Sequence, residues 1–347
     1  MHGDIAGDFP VVDTHNDLLM AVAARAPARW SAFFRMRWLP QLRSGGVDVQ
    51  VLPVWVDAAT RPETALRDTL RMIECAHRIA TGDSDDVALC LDGAAVRATV
   101  ASGRIALVLA IEGCGAFGED VELIETMHRL GVRVMSLAHF GRTALADGSA
   151  EDSAGSRLTR AGVAAVELMD RLGVLLDISH LGAAGVEHVL EISRRPVIAT
   201  HSNARALCDH HRNLTDDQLR AIAAGGGVVC VNVVASYVHP ADHTLDRLLD
   251  QFCHVIAVAG TDHVGVGPDF MFELDDELTP PWARHGRDNQ GVDMDAYLPG
   301  LTHPAGLPLI TKGLLGRGLD HADVAKIMGG NVLRLFDVEL GRPRAVG

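Results

Sequence analysis

The segment LGVLLDISHLGAAGVEHVLEISRRPVIATH, residues 172–201, decides the fold. It begins and ends with short apolar runs, LGVLLDISH and PVIATH, that are typical of buried strands. Between these runs, apolar side chains recur at the spacing of a helix, namely Val186, Val189, Leu190 and Ile192. The segment therefore predicts a strand, a crossover helix and a second parallel strand, connected in the right-handed sense.

Each of these two predicted strands ends at a histidine, His180 in the first and His201 in the second. Parallel neighbours lie about 4.8 Å apart and run in the same direction, which places both imidazoles at one edge of the sheet. A single histidine would be interpreted as a core residue with satisfied hydrogen bonds. Two histidines at equivalent ends of successive strands instead favour a shared metal ion.

Eight strand-like runs, separated by helical stretches, follow one another along the chain. Polar residues stand at the C-terminal ends of these runs: His15, Asp17, Glu112, His139, His180, His201 and Asp269. A (β/α)8 barrel keeps its catalytic residues at this end of its strands. We therefore predict an α/β fold, a (β/α)8 TIM barrel with rim-loop insertions, that forms a single domain over residues 1–347. The alternative, an open doubly wound sheet, would spread these residues along a crevice.

Two of the predicted strands carry candidate ligands of their own. His15 and Asp17 are two residues apart and face the same side of the first strand, so they form a possible metal chelate. Asp13 shares that face one layer lower, where a hydrogen-bonding role is expected. Glu112 closes the apolar run of residues 105–111 and is either a solvated strand end or a buried group with a partner.

The composition narrows the choice of partners and compartment. The formal net charge is −14, which argues against nucleic acid or an anionic membrane as the main partner. Six cysteines contain no CxxC pair, so they favour neither a disulfide framework nor a cysteine zinc site. The N-terminus lacks the features of a signal peptide, and no apolar run reaches the roughly 18 residues of a membrane span. We expect a soluble cytoplasmic protein.

Five segments of the chain carry a family resemblance: THNDL, AIEG, LLDISH, THSNARAL with RNLTDDQL, and GGNVLRLF. In order and spacing they resemble the signatures of the membrane (renal) dipeptidase family of dinuclear zinc metallopeptidases, which are amidohydrolase-like barrels. The resemblance covers nearly the whole chain. It implies two Zn²⁺ ions per subunit, a small-molecule dipeptide substrate, probable acceptance of L-Xaa-D-Xaa dipeptides and a possible homodimer.

The resemblance also implies a role for each matching residue. One ion would be held by His15 and Asp17 and the other by His180 and His201, with Glu112 bridging the two. A metal-bridging hydroxide would attack the scissile carbonyl while Asp269 transfers the proton to the leaving amine. The resemblance further implies that His139 and Arg212 contact the substrate, through its oxyanion and its carboxylate respectively.

Two alternatives and two departures from the family pattern remain. The chain is alternatively a dinuclear hydrolase of another amide or lactam, such as an N-acyl amino acid, or a noncatalytic metal-binding barrel. Met271 and Phe272 stand where the family commonly has an acid and a glycine, and Leu19 replaces a usual proline. Pocket shape and substrate preference therefore do not follow from the resemblance.

One tract from residue 18 to residue 47 is basic and aromatic in an otherwise acidic protein. It contains no acidic residue but includes Arg25, Arg29, Arg35, Arg37 and Arg43, interleaved with Trp30, Phe33, Phe34 and Trp38. We interpret it as an amphipathic rim helix with buried aromatic rings and solvated arginines. A second hypothesis is that one of the first four arginines enters the cleft and selects an acidic side chain on the D-residue of the substrate.

Overall fold

The structure is a computed structural model that describes residues 9–56, 58, 62–270, 291–293 and 296–342. Met271 and Phe272 lie outside these residues. The described chain contains nine strands in one parallel sheet. The strands are β1 (Val11–Asp13), β2 (Val47–Trp55), β3 (Val87–Leu89), β4 (Ile105–Glu112), β5 (Val132–Ser136), β6 (Leu175–Asp177), β7 (Ile198–Ala199), β8 (Val228–Val231) and β9 (Val264–Val266).

Eight of these strands form the predicted (β/α)8 barrel, in the order β1-β2-β4-β5-β6-β7-β8-β9. The first and last strands meet through a hydrogen bond of 3.2 Å from the Thr14 amide to the Val266 carbonyl and through a parallel bridge between Asn16 and Phe270. The extra strand β3 lies outside this circuit and pairs with the first half of β4. The sequence does not predict β3, because three residues are too few to establish a periodicity.

Helices follow most of the strands. They are α1 (Leu18–Ala23), α2 (Trp30–Arg37), α3 (Leu39–Ser44), α4 (Pro62–Gly82), α5 (Gly93–Ala101), α6 (Leu123–Arg129), α7 (Arg160–Leu172), α8 (Ala183–Ile192), α9 (Asp216–Ala224), α10 (Ala235–Val238), α11 (Leu245–Ala259), α12 (Pro308–Gly316), α13 (His321–Ala325) and α14 (Asn331–Glu339). The predicted crossover helix of the central unit is α8. Among the described residues, no helix combines the length and apolar character needed to cross a membrane.

The alternation of side chains along β4 shows which of its residues face the barrel interior. Ile105, Leu107 and Leu109 pack in the large cluster shared with the surrounding helices. Ala106, Val108 and Ala110 belong to a second cluster, which takes residues from seven barrel strands and therefore fills the barrel interior. Helix α14 contributes to this interior cluster. Glu112 has the parity of the interior residues, so it faces inward at the C-terminal end of the strand.

The C-terminal segment DHADVAKIMGG predicts a helix that is capped by Asp320 and ends at Gly329 and Gly330. Asp320 caps the N-terminus of α13 as expected, by accepting a hydrogen bond of 2.8 Å from the Asp323 amide. The predicted stop at Gly329 and Gly330 is wrong, because the chain passes through a π-helical turn, Lys326–Gly330, and continues as α14. A Cβ atom at Gly329 would lie 2.3 Å from the Pro10 carbonyl oxygen. This glycine therefore permits close packing against the start of β1 and does not end the helix.

Candidate metal centre

Histidines that follow four different strands converge on a single carboxylate oxygen. Glu112 Oε1 lies 2.9 Å from Nε2 of His180, 3.4 Å from Nε2 of His201 and 3.5 Å from Nε2 of His15. The Nε2 atom of His139 is 3.8 Å from the same oxygen. Glu112 and all of these histidines except His139, whose side chain is 27% exposed, are buried. The barrel thus brings together residues that are far apart in the sequence.

Two groups of side chains have the geometry of a metal site. The first is His15, Glu112 and His201, and the second is Glu112, His139 and His180, with the potential ligand atoms of each group within 4.8 Å of one another. The Nε2 atoms of His180 and His201 are themselves only 2.8 Å apart. Glu112 is the member that both groups share.

The chemistry of these donors fits bound divalent cations. Among the described residues, the buried Nε2 atom of His15 has no hydrogen-bond partner. Several imidazole nitrogens face one another and the same carboxylate oxygen. They cannot all form hydrogen bonds with one another, whereas one or more cations can accept the lone pairs of all of them. Nitrogen and carboxylate oxygen are the ligands that Zn²⁺ prefers when cysteine is absent from the site.

The protonation of the central groups also suits metal binding. Burial lowers the pKa of both His180 and His201 well below the usual value, and the nearby charge of Arg212 lowers each further. Burial raises the pKa of Glu112, but the charge of His15 and hydrogen bonds from the histidines outweigh this and hold it well below its usual range. Neutral imidazoles and an ionised carboxylate are the forms that coordinate metals.

His15 differs from the other two buried histidines. Burial lowers its pKa, but the negative charge of Glu112 outweighs burial and raises it to about 10. Without a metal ion, His15 therefore carries a proton near Glu112. A cation that binds here must displace this proton, so metal binding and proton release are linked.

Asp17 lies beside the centre but in neither group of three. It is buried and occupies the N-cap position of α1, yet its side chain makes no capping hydrogen bond. Its pKa is raised well above the usual value, first by burial and then by the negative charges of Glu112 and Asp269. The carboxylate is therefore not used by the helix and is close enough to the centre to be affected by its charges.

Asp269 is held at the edge of the centre by two neighbours. Its Oδ2 atom accepts a hydrogen bond of 2.9 Å from Nδ2 of Asn232, and its amide donates to the His15 carbonyl at 2.9 Å. Its Oδ1 atom lies 3.9 Å from Nε2 of His15. Asp269 and His180 are the described non-glycine residues with positive φ, at 61° and 69°. Such backbone strain costs about 1 to 3 kcal/mol and is concentrated at functional sites.

Arg212 lies in the loop after His201 and is buried, although an arginine in a loop is commonly exposed. Its guanidinium donates to Ser202 Oγ at 2.8 Å and to the His201 carbonyl at 2.6 Å. Within the described chain, its Nε atom has no hydrogen-bond partner. The guanidinium also lies 5.9 Å from the centre of the Tyr237 ring. Arg212 is therefore fixed beside His201, with its Nε–H group still without a hydrogen bond to the described chain.

Sequence reasoning missed several residues that support the centre. Asn232 follows the apolar run of β8 directly, so the positional argument used for the other strand ends would have identified it. Asp177 and Thr200 lie inside the quoted strand segments and were predicted only as strand residues. Leu19, one of the two departures from the family pattern, is fully buried in α1.

The arginine-rich tract forms α1, the 3₁₀ turn Pro27–Arg29, α2 and α3, so it is a series of short helices and not the single helix of the interpretation. Trp30, Phe34 and Trp38 are buried, as the amphipathic interpretation predicts, while Arg35 is exposed. The Arg35 side chain pairs with Asp83, in the loop before β3. That loop adjoins the N-terminal end of β4, about 20 Å from Glu112 at roughly 3.3 Å per strand residue. Arg35 therefore does not point into the cleft, and the hypothesis of an acid-selecting arginine is left with Arg25, Arg29 and Arg37.

Comparisons with known proteins show which proteins this chain resembles. The sequence model of the membrane dipeptidase family, peptidase family M19, matches residues 2–279. A curated relative, the dipeptidase aclJ of Aspergillus oryzae, is 32% identical over 313 residues, which are 86% of this chain and 69% of that protein.

Two solved structures are similar over nearly their whole length. The family M19 metallopeptidase called dipeptidase AC has a TM-score of 0.83 and 27% identity, and the match covers 96% of this chain and 99% of that one. A metallopeptidase from Rhodobacter sphaeroides, bound to a phosphinate mimic of the dipeptide L-Ala-D-Ala, has a TM-score of 0.81 and 26% identity over 95% of this chain and 99% of that one.

Proposed function

Because this chain belongs to the membrane dipeptidase family, peptidase family M19, and is a metallo-dipeptidase, we propose that it uses two Zn²⁺ ions and accepts L-Xaa-D-Xaa dipeptides. One observation carries the proposal of two ions. Glu112 is common to both metal-like groups of side chains, as a bridging carboxylate between two cations must be. In this proposal His15 and Asp17 hold one ion, and His180 and His201, whose Nε2 atoms are 2.8 Å apart, hold the other. This division differs from the two groups of three, in which His201 stands with His15, and His180 stands with His139.

The two ions, when bound, supply a Lewis acid that polarises the scissile carbonyl and lowers the pKa of a water molecule. Asp269 accepts the proton of the attacking water and passes it to the nitrogen of the leaving amino acid. Its raised pKa, caused mainly by burial, suits a group that must both accept and return a proton. The hydrogen bond from Asn232 keeps the carboxylate oriented during this exchange.

Two further side chains, His139 and Arg212, then bind the substrate at its scissile carbonyl and at its carboxylate. His139 is the exposed member of the cluster and donates to the carbonyl oxygen as negative charge develops on it. Arg212 binds the substrate carboxylate through guanidinium N–H groups that make no hydrogen bond within the described chain, beside the ion held by His180 and His201. A substrate bound this way is gripped at its carboxylate and its scissile carbonyl.

The proposed acceptance of L-Xaa-D-Xaa dipeptides is supported by one comparison. The similar metallopeptidase from Rhodobacter sphaeroides was solved with a mimic of L-Ala-D-Ala. Recognition through the carboxylate by Arg212 does not depend on which side of the Cα atom carries the side chain, so it permits a D-residue at the C-terminal position.

A single reconstitution series tests the function. Metal-stripped protein is titrated with Zn²⁺ and assayed for release of free amino acid from L-Ala-D-Ala, L-Ala-L-Ala and N-acetyl-D-Ala. We expect activity to appear as two equivalents bind, with turnover of the dipeptides and little of the acyl compound. Protein that holds two ions but cleaves only N-acetyl-D-Ala would support the alternative amide hydrolase.

A further inference from the structure

His201 is connected to a buried carboxylate through one hydroxyl group. The Nδ1 atom of His201 lies 2.7 Å from Oγ1 of Thr200, and that same hydroxyl lies 2.6 Å from Oδ2 of Asp177. All three side chains are buried. Asp177 ends β6 and Thr200 follows β7, so the contact spans the two strands that carry the central histidines.

The direction of each hydrogen bond in this chain follows by elimination. Oδ1 of Asp177 accepts from the backbone amides of Ser179 and Thr200, at 2.9 and 3.0 Å, and these groups can only donate. Oδ2 then accepts the single hydroxyl proton of Thr200. Because that proton is used, Thr200 Oγ1 must accept from His201, which places a proton on Nδ1 of the imidazole.

A neutral imidazole with its proton on Nδ1 has its lone pair on Nε2. Nε2 is the atom of His201 that faces Glu112 and His180. We propose that Asp177 and Thr200 are positioning residues that set the tautomer of His201, so that its Nε2 lone pair is directed at the metal centre. This inference rests on the metal centre of the proposed function and assigns roles to two residues outside it.

His180 shows that such support is specific to His201. Within the described residues, Nδ1 of His180 has no hydrogen-bond partner. Its ring is instead confined by the rings of His139 and Phe140, with centroids 4.1 and 4.7 Å away. Of the two histidines on neighbouring strands, His201 alone is oriented by a chain of hydrogen bonds that also determines its protonated nitrogen.

The first test removes or retains the Thr200 hydroxyl. Thr200→Val has nearly the same shape but no hydroxyl, whereas Thr200→Ser keeps it. We expect Thr200→Val to weaken Zn²⁺ affinity about 10- to 100-fold, measured by chelator competition, and Thr200→Ser to stay near the wild type. Thr69→Val is the matched control, because Thr69 is equally buried but bonds the Ala65 carbonyl within α4.

The second test reverses the chain of hydrogen bonds. In Asp177→Asn, the new amide donates to Thr200 Oγ1, so the hydroxyl proton turns towards His201 and the imidazole proton moves to Nε2. We expect a larger loss of Zn²⁺ affinity than in Thr200→Val. The double variant Asp177→Asn/Thr200→Val lacks the hydroxyl that donates to His201 in Asp177→Asn. It should therefore bind Zn²⁺ more tightly than Asp177→Asn alone, whereas two independent losses of affinity would add.

Nitrogen chemical shifts of ¹⁵N-labelled histidine in the metal-free proteins report the tautomer directly. We expect protonated Nδ1 at His201 in the wild type and protonated Nε2 in Asp177→Asn. Equal affinities for Thr200→Val and Thr200→Ser, or a double variant no better than Asp177→Asn, would overturn the proposal. A wild-type protein that binds no Zn²⁺ tightly would contradict the proposed function instead, so the two failures are distinguishable.

Discussion

At the N-terminal end of the barrel, buried charged and polar groups meet in pairs, whereas at the C-terminal end several histidines converge on one carboxylate. Near the N-terminal end, Arg195 Nη1 donates a hydrogen bond to Glu339 Oε2 at 2.9 Å, and both side chains are almost fully buried. Asn331 donates to the Thr261 and Val264 carbonyls at 2.7 and 2.8 Å. These contacts hold α14 against the base of the barrel.

The C-terminal end has the opposite character. Four histidines face one oxygen of Glu112, and Asp269 and His180 have strained backbones. Imidazole nitrogens that crowd around one buried carboxylate cost free energy unless a ligand such as a cation satisfies them. The comparison teaches that changes at the base should act on folding, and changes at the rim should act on metal binding and turnover.

The largest expected effect comes from Glu112→Gln, which removes the charge at the point where the histidines converge. A neutral amide cannot offset two dications, so we expect loss of tight metal occupancy and almost complete loss of activity. Metal analysis by mass spectrometry and a dipeptide assay check this. Two tightly held ions together with normal turnover would show that Glu112 is not the bridging residue.

Asp269→Asn should separate metal binding from proton transfer at the same end of the barrel. The amide keeps the shape of the side chain but cannot accept a proton, so we expect both ions to remain and kcat to fall about 10²- to 10⁴-fold. Steady-state kinetics on protein of measured zinc content provide the comparison. A nearly normal kcat would place proton transfer on another group.

At the base, Glu339→Gln should reduce stability and leave catalysis intact. Removing one member of a buried ion pair leaves the Arg195 charge uncompensated, which typically costs about 3 to 5 kcal/mol. The control is Asp337→Asn on the same helix, whose exposed pair with Arg97 should contribute less than about 1 kcal/mol. Urea unfolding and kcat are measured for both variants, and a fall in kcat without loss of stability would contradict the division between the two ends.

The smallest of these effects is expected for Arg212→Ala. Loss of a charge-assisted hydrogen bond costs about 1.5 to 3 kcal/mol, so kcat/KM for dipeptides should fall about ten- to a hundredfold. Dipeptide amides, which lack the carboxylate, should be affected much less. Equal losses for the acid and amide substrates would leave Arg212 with a structural role only.

The sequence predicted the barrel and its polar rim because both depend on local patterns. Apolar runs that alternate with helical segments define the strands, and the direction of a parallel strand determines which end each polar residue occupies. The residues at those ends, from His15 to Asp269, were therefore identifiable one strand at a time. The resemblance to a known family extended this to their expected roles.

The tertiary structure alone decided which of these residues meet and what supports them. Three features join segments that are remote in the sequence. They are the convergence of the histidines on Glu112 Oε1, the hydrogen bonds from Asp177 through Thr200 to His201, and the burial of Arg212. The same holds for Gly329, where contact with Pro10 overrides the local tendency of glycine to end a helix. Strand patterns specify direction and face, but distances between strands follow only from closure of the barrel and from packing in its interior.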